Sequence, residues 1–570
     1  MVNHKLDAII DEIKLVNIST DILVIGGGTA GCFAAITIKE TSPETDVLVI
    51  EKGHVDRSGC LAAGVNAINA YLNPGETPAS YLKYVRDDSA GLVREDLVYS
   101  VGERLNRVTE KLASWGLPFI RDEAGNLKAR GKRSVEIVGE AIKPVIAAAL
   151  KKSGAQIMNR VVATNFIVNE GQVSGVYAIN AREKKFYVIS AKAVICATGG
   201  AAGIYKPNND GSARHKMWYC PFNVGTGLAM GLRAGAEMTT FEMRFIALRI
   251  KDVIAPTGTV AQGVNARQIN AQGEEYQKNY ENDSTPMRMY ATIEENKADR
   301  GPCYLDLTHL SADYNLRLKE AYLSMAPGMV LKWANSGLEP NESPVEICGS
   351  EPYVVGGHGQ AGYWVDVNRQ ATIGGLFAAG DVAGGAPKKY VSGCFAEGEI
   401  SALAALDYIR GRQQPEINDA DSQTELDRVF SPLNRDSGVT PDEFEERLQK
   451  IMDEYAGGIS TNYELSEPKL LMARKLLATL EEDVTSRLAA GNIHDLVKAH
   501  EVIDRVLVAS VLVEHLLYRK ETRWRSYQER IDYPYRDDGR WMTFVNSLYD
   551  HNTNTIQIVE RAWTGWEESL

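Results

Sequence analysis

The stretch from Thr20 to Ile25 is short, apolar and rich in isoleucine and valine, the pattern of a buried strand. A glycine cluster follows, and Cys32 to Lys39 then carries helical spacing. Asp46 to Ile50 is a second strand-like run, so a βαβ unit fits in about thirty residues. Residues 96–115 and 136–152 read as amphipathic helices. Strand-like segments follow at 156–168, 172–180 and 185–190, and Ala193 to Ala197 is another buried run. Residues 250–350 mix polar loops with helical stretches, as an inserted domain would. Gly375 to Ala379 returns to buried strand, and 411–441 has the Pro, Asp, Gln and Asn content of a linker. From 442 to 521 the period is helical, through Phe444, Leu448, Met452, Leu470, Leu477 and Ile503 to Leu517. Met1 to Ser19 is polar and helix-like, without the basic flank and apolar run of a signal peptide. The pattern predicts an α/β fold. A Rossmann-like dinucleotide-binding domain (1–245 and 354–415) carries an inserted α+β capping domain (246–353) and precedes a C-terminal helical domain (416–570).

Three glycine-rich turns give that fold a ligand. Gly26, Gly28 and Gly31 form G-x-G-x-x-G between the first strand and its helix, with Thr29 and Ala30 between the glycines. The glycines allow a tight turn and close backbone approach to a pyrophosphate, which the new helix N-terminus attracts. Glu51 ends the second strand about twenty residues on, where its carboxylate can accept from both ribose hydroxyls. Lys52 follows it. The second turn is Ala197-Thr198-Gly199-Gly200, and the third is the strand ending in Gly380-Asp381. A late Gly-Asp places an amide and a carboxylate near the ribityl chain of a flavin, which an NAD domain does not need. The three together point to FAD.

Composition narrows the partners. The 570 residues are 44% hydrophobic and 24% charged, the balance of an ordinary globular protein. The formal charge of -13 disfavours nucleic acid and anionic lipid, so an anionic substrate needs a local basic pocket. No stretch reaches the roughly 18 apolar residues of a membrane span. The seven cysteines are scattered with no C-x-x-C, so no iron–sulfur run or zinc site is expected on this chain. Scattered thiols fit a reducing compartment, and a cytoplasmic location is expected.

Arg57-Ser58-Gly59 and Ala62-Ala63-Gly64 resemble the flavin loop of the succinate dehydrogenase and fumarate reductase flavoproteins. Members with covalent FAD have a histidine after Arg-Ser. Gly59 stands there, which implies noncovalent FAD. The carboxylate-clamping segments of the dicarboxylate enzymes are replaced by Met238-Thr239-Thr240 and by Gly384-Gly385-Ala386-Pro387-Lys388-Lys389. A narrower branch is closer: over most of its length the chain resembles the adenylylsulfate reductase α-subunit family. The likeness runs through Val93–Leu97, Trp115–Pro118, Trp218-Tyr219, Arg244-Phe245, Arg249, Asp299–Pro302, Glu351–Tyr353, His358-Gly359 and Glu521–Trp524. The chain is shorter than typical members, and Gln360-Ala361 replaces the Cys-Cys after the family's histidine motif.

That resemblance implies two-electron reduction of a sulfonucleotide to sulfite and a nucleoside phosphate, with flavin N5 attacking sulfur. It assigns Arg249 and His358 to the sulfate end, adds Arg244, and puts Trp218 on the electron path. For Arg244 a salt-bridged structural role stands as the alternative, and for Trp218 a core role. Asn69 is expected at the flavin ring, Ser58, Gly59, Ala63 and Ser392 around the cofactor, and Glu140 at the entry. The substrate is adenylylsulfate or its 3′-phosphorylated form. Arg130, Lys132, Arg133, Lys388 and Lys389 are the candidates for the extra phosphate. Electrons are expected from a ferredoxin-like β subunit with two [4Fe–4S] clusters, in an αβ heterodimer or higher assembly. The rivals are a reductase of another small acid and a flavin electron-relay subunit.

Overall fold

β1 spans 12 residues, Lys14–Ile25, and begins well before the apolar run. Its first half is strand, not the helix its polarity suggests. Val16, Ile18 and Thr20 turn inward at period two, while Leu15, Asn17 and Ser19 are exposed. Residues 1–12 of the expected helix lie outside the described residues. The structure, a computed structural model, describes residues 13–255, 257, 266–282, 284–435 and 437–565.

α1 (Thr29–Thr41) leads into β2 (Val47–Glu51), which pairs in parallel with β1, Ile22 opposite Val47 and Ile25 opposite Ile50. The sheet also holds β3 (Gln156–Asn159), β4 (Val161–Asn169), β5 (Gln172–Asn180) and β6 (Lys185–Cys196). Its order is β3-β2-β1-β6-β5-β4, and β7 (Leu376–Ala378) joins β6 in parallel. The runs at 185–190 and 193–197 are one strand, because β6 pairs with β1 in a single register from Lys185 to Cys196. Conversely, 96–115 divides into helices Glu95–Gly102 and Leu105–Ser114, and the helix expected from 136 starts at Ile142. α2 (Tyr390–Tyr408) packs on α1, and a Cβ on Gly398 would stand 2.4 Å from the Ala30 carbonyl oxygen.

The mixed segment forms a four-stranded antiparallel sheet. Leu248–Ile250 lies at its edge beside Val345–Gly349, then Cys303–Asp306, then Arg267–Ile269. The expected linker contains a helix, α3 (Asp419–Phe430), capped by Asn418 accepting from the Ala420 N–H. Its few apolar residues, Leu426, Val429 and Phe430, pack in the same cluster as Val162 and Phe186 of the sheet. α4 (Pro441–Tyr455), α5 (Glu467–Arg487) and α6 (Ile493–Tyr518) follow.

The C-terminal part is not wholly helical. β8 (Thr543–Asp550) and β9 (Thr555–Ala562) form a hairpin, and β8 pairs with the short strand Met238–Thr239, Asn546 opposite Thr239. A buried ionic cluster reinforces this junction: Glu242 accepts from Arg519 Nε at 2.7 Å and lies 3.0 Å from His515 Nδ1. No helix among the described residues is long and apolar enough to cross a membrane.

Candidate functional site

The site begins where β1 ends. Gly26 has φ +104°, and a Cβ there would lie 2.5 Å from the Ala197 carbonyl oxygen. A Cβ on Gly31 would lie 1.9 Å from the Gly26 carbonyl oxygen, so the helix can approach the turn only with glycine. At Gly28, by contrast, a Cβ would meet nothing within 4 Å. No side chain caps α1 there, so its first N–H groups, from Thr29 and Ala30 onward, keep no capping partner beside open space. That is the arrangement a bound pyrophosphate uses. Each carboxylate oxygen of Glu51 accepts one backbone N–H, from Gly27 at 2.8 Å and Gly53 at 2.7 Å. This fixes the carboxylate and leaves each oxygen capacity for a ribose hydroxyl. Ser58 Oγ, beside this loop, is buried without a partner among the described residues. The chain's own atoms therefore fit an adenine dinucleotide at this end.

The second and third turns meet the first. Ala30, Ala197, Ala379 and Cys394 form one small apolar cluster at the strand ends. Thr198 Oγ1 lies 3.6 Å from Cys196 Sγ, and Gly199 packs so closely on Asn223 that a Cβ would stand 2.4 Å from its amide nitrogen. Asp381 accepts from the Tyr219 hydroxyl at 2.8 Å, and Tyr219 in turn accepts the Gly200 N–H at 2.9 Å. Ser392 Oγ donates to the Ala70 carbonyl.

A cavity of about 1500 Å³ opens beyond this cradle, lined by Thr29, Ala63, Asn69, Trp218, His358 and Asp381 among others. That exceeds the roughly 300–1,000 Å³ of a single small-ligand pocket, leaving room for a cofactor and a substrate. Asn69 Oδ1 accepts from Arg130 Nη2 at 2.9 Å and from Ser134 Oγ at 3.1 Å. Trp218 stands at the centre of an aromatic cluster, its ring 5.0 Å from those of Phe245 and His358 and 6.1 Å from Tyr353. His358 Nδ1 is buried with no partner among the described residues. Burial pushes this imidazole down to about 4; the Lys388 charge adds to that and the Asp381 charge opposes it. At neutral pH it is uncharged and keeps one N–H to donate.

Arg249 is fully buried, one residue past the cavity-lining Leu248. Its Nη1 donates to Ile250 O at 3.2 Å and Val253 O at 3.0 Å, while Nε and Nη2 are buried with no acceptor among the described residues. Such unspent donors on a permanent cation suit an oxyanion.

The remaining candidates fall elsewhere. Arg244 does not line the cavity. It donates to the carbonyls of Tyr527, Ala456, Gly457 and Tyr463 and to the Tyr205 hydroxyl, which makes it a structural clamp. Lys389 is likewise spent, holding Gly380 O, Ala383 O and Glu397 around the Gly-Asp turn. Lys52 Nζ is held by Glu501 at 2.8 Å and by the Phe222 carbonyl at 2.6 Å. Glu140 is exposed and outside the lining. Arg130, Lys132, Arg133 and Lys388 do line the cavity, with Arg133 paired to Glu76 and Lys388 to Asp88. Sequence reasoning missed Tyr219 and Asn223 as organisers of the site. The doublet Trp218-Tyr219 was visible, but nothing in sequence ties a tyrosine to an aspartate 162 positions later.

A dinucleotide cradle at the strand ends, with an aromatic-lined cavity at its far side, defines an FAD-dependent oxidoreductase. Residues 21–394 match the FAD binding domain model, and 445–564 match the fumarate reductase flavoprotein C-terminal model. The α subunit of adenylylsulfate reductase from Megalodesulfovibrio gigas is 29% identical, with 97% of each chain covered. The adenylylsulfate reductase structure from Archaeoglobus fulgidus superposes with a TM-score of 0.93 at 35% identity, covering 98% of each chain. A structure of adenosine-5-phosphosulfate reductase in complex with sulfite as a covalent adduct matches equally well, with TM-score 0.93 and 35% identity. The chain belongs to the adenylylsulfate reductase α-subunit family, within the FAD-binding flavoproteins of the fumarate reductase type.

Proposed function

We propose that this chain reduces the sulfur of adenylylsulfate, releasing sulfite and AMP. The observation that carries the reading is the convergence of His358 and Trp218 on one cavity beside the cofactor cradle, with the unspent guanidinium of Arg249 behind its wall. It is supported by the likeness to adenylylsulfate reductases over nearly the whole chain. The Gly26–Gly31 turn, Glu51 and Asp381 would hold FAD, without a covalent link because Gly59 offers no side chain, and bound FAD would supply the electron pair. The residues do the rest. Arg249 draws the sulfo-group charge, and neutral His358 donates a hydrogen bond to one of its oxygens. Asn69, fixed by Arg130 and Ser134, would present its amide to the bound cofactor. Charge builds on sulfate and phosphate oxygens as the S–O bond breaks, and these donors are in place beforehand.

Electrons reach the site through Trp218 from a ferredoxin-like β subunit carrying two [4Fe–4S] clusters, in an αβ heterodimer. The 3′-phosphorylated nucleotide is the other candidate substrate, with Lys132 and Arg130 at the cavity wall as its cations. An assay on the native complex with reduced viologen decides among adenylylsulfate, its 3′-phosphorylated form and fumarate. Sulfite from one nucleotide supports the reading and names the substrate. Turnover of fumarate alone, or of none, removes it.

A further inference from the structure

The adjacent lysines Lys388 and Lys389 serve different places. Lys389 is spent on the Gly-Asp turn and Glu397. Lys388 lines the cavity, its Nζ 2.6 Å from Oδ2 of Asp88, the last residue of the helix Pro78–Asp88. The two side chains are only 7% and 11% exposed, and neither has another hydrogen-bond or ion-pair partner among the described residues. The backbone holds Lys388 where it is. Its φ is +62° and that of Tyr390 is +50°, left-handed values that are costly for a residue with a Cβ and that gather at functional sites. The Tyr81 hydroxyl donates to the Lys388 carbonyl at 2.9 Å, and the Lys389 N–H donates to Gly357 O at 3.1 Å. This turn is thus docked on the one that carries His358, and the Tyr390 ring stands 5.4 Å from the His358 imidazole.

The Lys388–Asp88 pair is two-sided. The ammonium has three N–H donors and directs one at Asp88, while the carboxylate keeps room to accept. One hydroxyl can accept from the lysine and donate to the aspartate at once. An anion is treated differently, because the pair carries no net charge and its carboxylate repels. The cations beside it are already matched: Lys83 lies 2.8 Å from Asp87, and Arg133 lies 3.0 Å from Glu76. The helix also ends at Asp88, and its C-terminus adds partial negative charge to this wall.

We propose that the Lys388–Asp88 pair is the ribose subsite of the cavity, taking the 2′,3′-diol of the nucleotide and rejecting a 3′-phosphate. It thereby selects adenylylsulfate over its 3′-phosphorylated form. The inference rests on the sulfonucleotide reading above. With the sulfo group at Arg249 and His358, the phosphate and then the ribose extend along the turn that Lys388 occupies. The 3′-hydroxyl accepts from the Lys388 ammonium and donates to Asp88. A 3′-phosphate has no proton to give there and sets its own charge against the carboxylate.

The test is titration calorimetry on the FAD-loaded protein with AMP, 3′-deoxy-AMP and adenosine 3′,5′-bisphosphate. Loss of a hydrogen bond to a charged group should leave 3′-deoxy-AMP about tenfold weaker than AMP. Like-charge repulsion should leave the bisphosphate weaker still, by about tenfold or more. These comparisons need no variant. In Asp88→Asn the bisphosphate should bind more tightly than before and come within about threefold of AMP, since the opposing charge is gone. A misfolded protein cannot show that gain. Equal binding of AMP and 3′-deoxy-AMP, a preference for the bisphosphate, or an unchanged ratio in a flavin-retaining Asp88→Asn overturns the proposal and leaves the sulfonucleotide reading standing. Binding of none of the three nucleotides removes both.

Discussion

The Tyr219 hydroxyl donates to Asp381 Oδ2 at 2.8 Å while accepting the Gly200 N–H at 2.9 Å. One phenol thus joins the ends of β6 and β7 to the aromatic wall of the cavity. The Asp381 carboxylate keeps its orientation because Tyr219 holds one oxygen and Cys394 Sγ approaches the other at 3.8 Å.

Tyr219→Phe removes that donor and leaves a carboxylate under-satisfied in a largely enclosed place. A hydrogen bond to a charged group is worth about 1.5–3 kcal/mol, so FAD should bind roughly tenfold or more weakly. Titration of deflavinated protein with FAD measures this. An unchanged dissociation constant would detach Asp381 from cofactor binding.

Gly357→Ala should be more severe. A Cβ there would lie 1.7 Å from Asp381 Oδ1, so the carboxylate would have to leave the position in which Tyr219 holds it. The purified variant should lose its flavin absorbance while remaining folded by far-ultraviolet circular dichroism.

Arg244→Met and Arg249→Met separate a structural arginine from a functional one. Removing Arg244 strands the buried carbonyls of Tyr527, Gly457 and Tyr463, while Ala456 O keeps the Tyr205 hydroxyl; each buried acceptor left unsatisfied costs about 1–3 kcal/mol. Arg249 satisfies only two carbonyls, so its loss should cost less stability and more sulfite production. Denaturation midpoints read beside turnover check this, and the reverse ordering would exchange the two assignments.

His500 makes stability depend on acid. Burial, with help from Arg428, pushes its imidazole down to about 4 from an ordinary 6.5. As pH falls through 6.5 the unfolded chain takes up this proton first, so stability is full above 6.5 and declines toward 4. At 1.36 kcal/mol per unit the loss across that window is about 3 kcal/mol. His500→Gln should flatten the pH profile of chemical denaturation between those limits, and an unaltered profile would place the acid sensitivity elsewhere.

Local signals carried far in this chain. The glycines at 26, 28 and 31, Glu51 and Gly380-Asp381 were legible because the backbone geometry a dinucleotide demands restricts residue type at fixed spacing. The cavity position of Trp218, His358 and Asn69 agrees with the family resemblance. For Arg244 the sequence left a structural role open, and its clamp is built from carbonyls, which every residue has and no sequence displays. Lys389 and Lys52 are held by Glu397 and Glu501 as well as by carbonyls, pairings that only the fold creates. The strand at Lys14–Ser19 and the helix at Asp419–Phe430 were hidden because long-range pairing and a three-residue apolar stripe outweighed polar composition. The β8–β9 hairpin escaped because its outer strand is largely exposed and its partner, Met238–Thr239, is two residues long.

That partnership also sets an order of assembly. Met238–Thr239 lies in the short strand pair with Gly362-Tyr363 and waits for β8, more than three hundred positions downstream, to complete its ladder. During synthesis the middle of the chain must therefore idle unfinished while the last helices emerge. Glu237, which pairs with Asn546 and Arg561, is left facing solvent until then. Closure of this ladder is thus a late event in the life of the polypeptide, and nonsense mutations before the final hairpin should leave Met238–Thr239 and Glu237 without these partners.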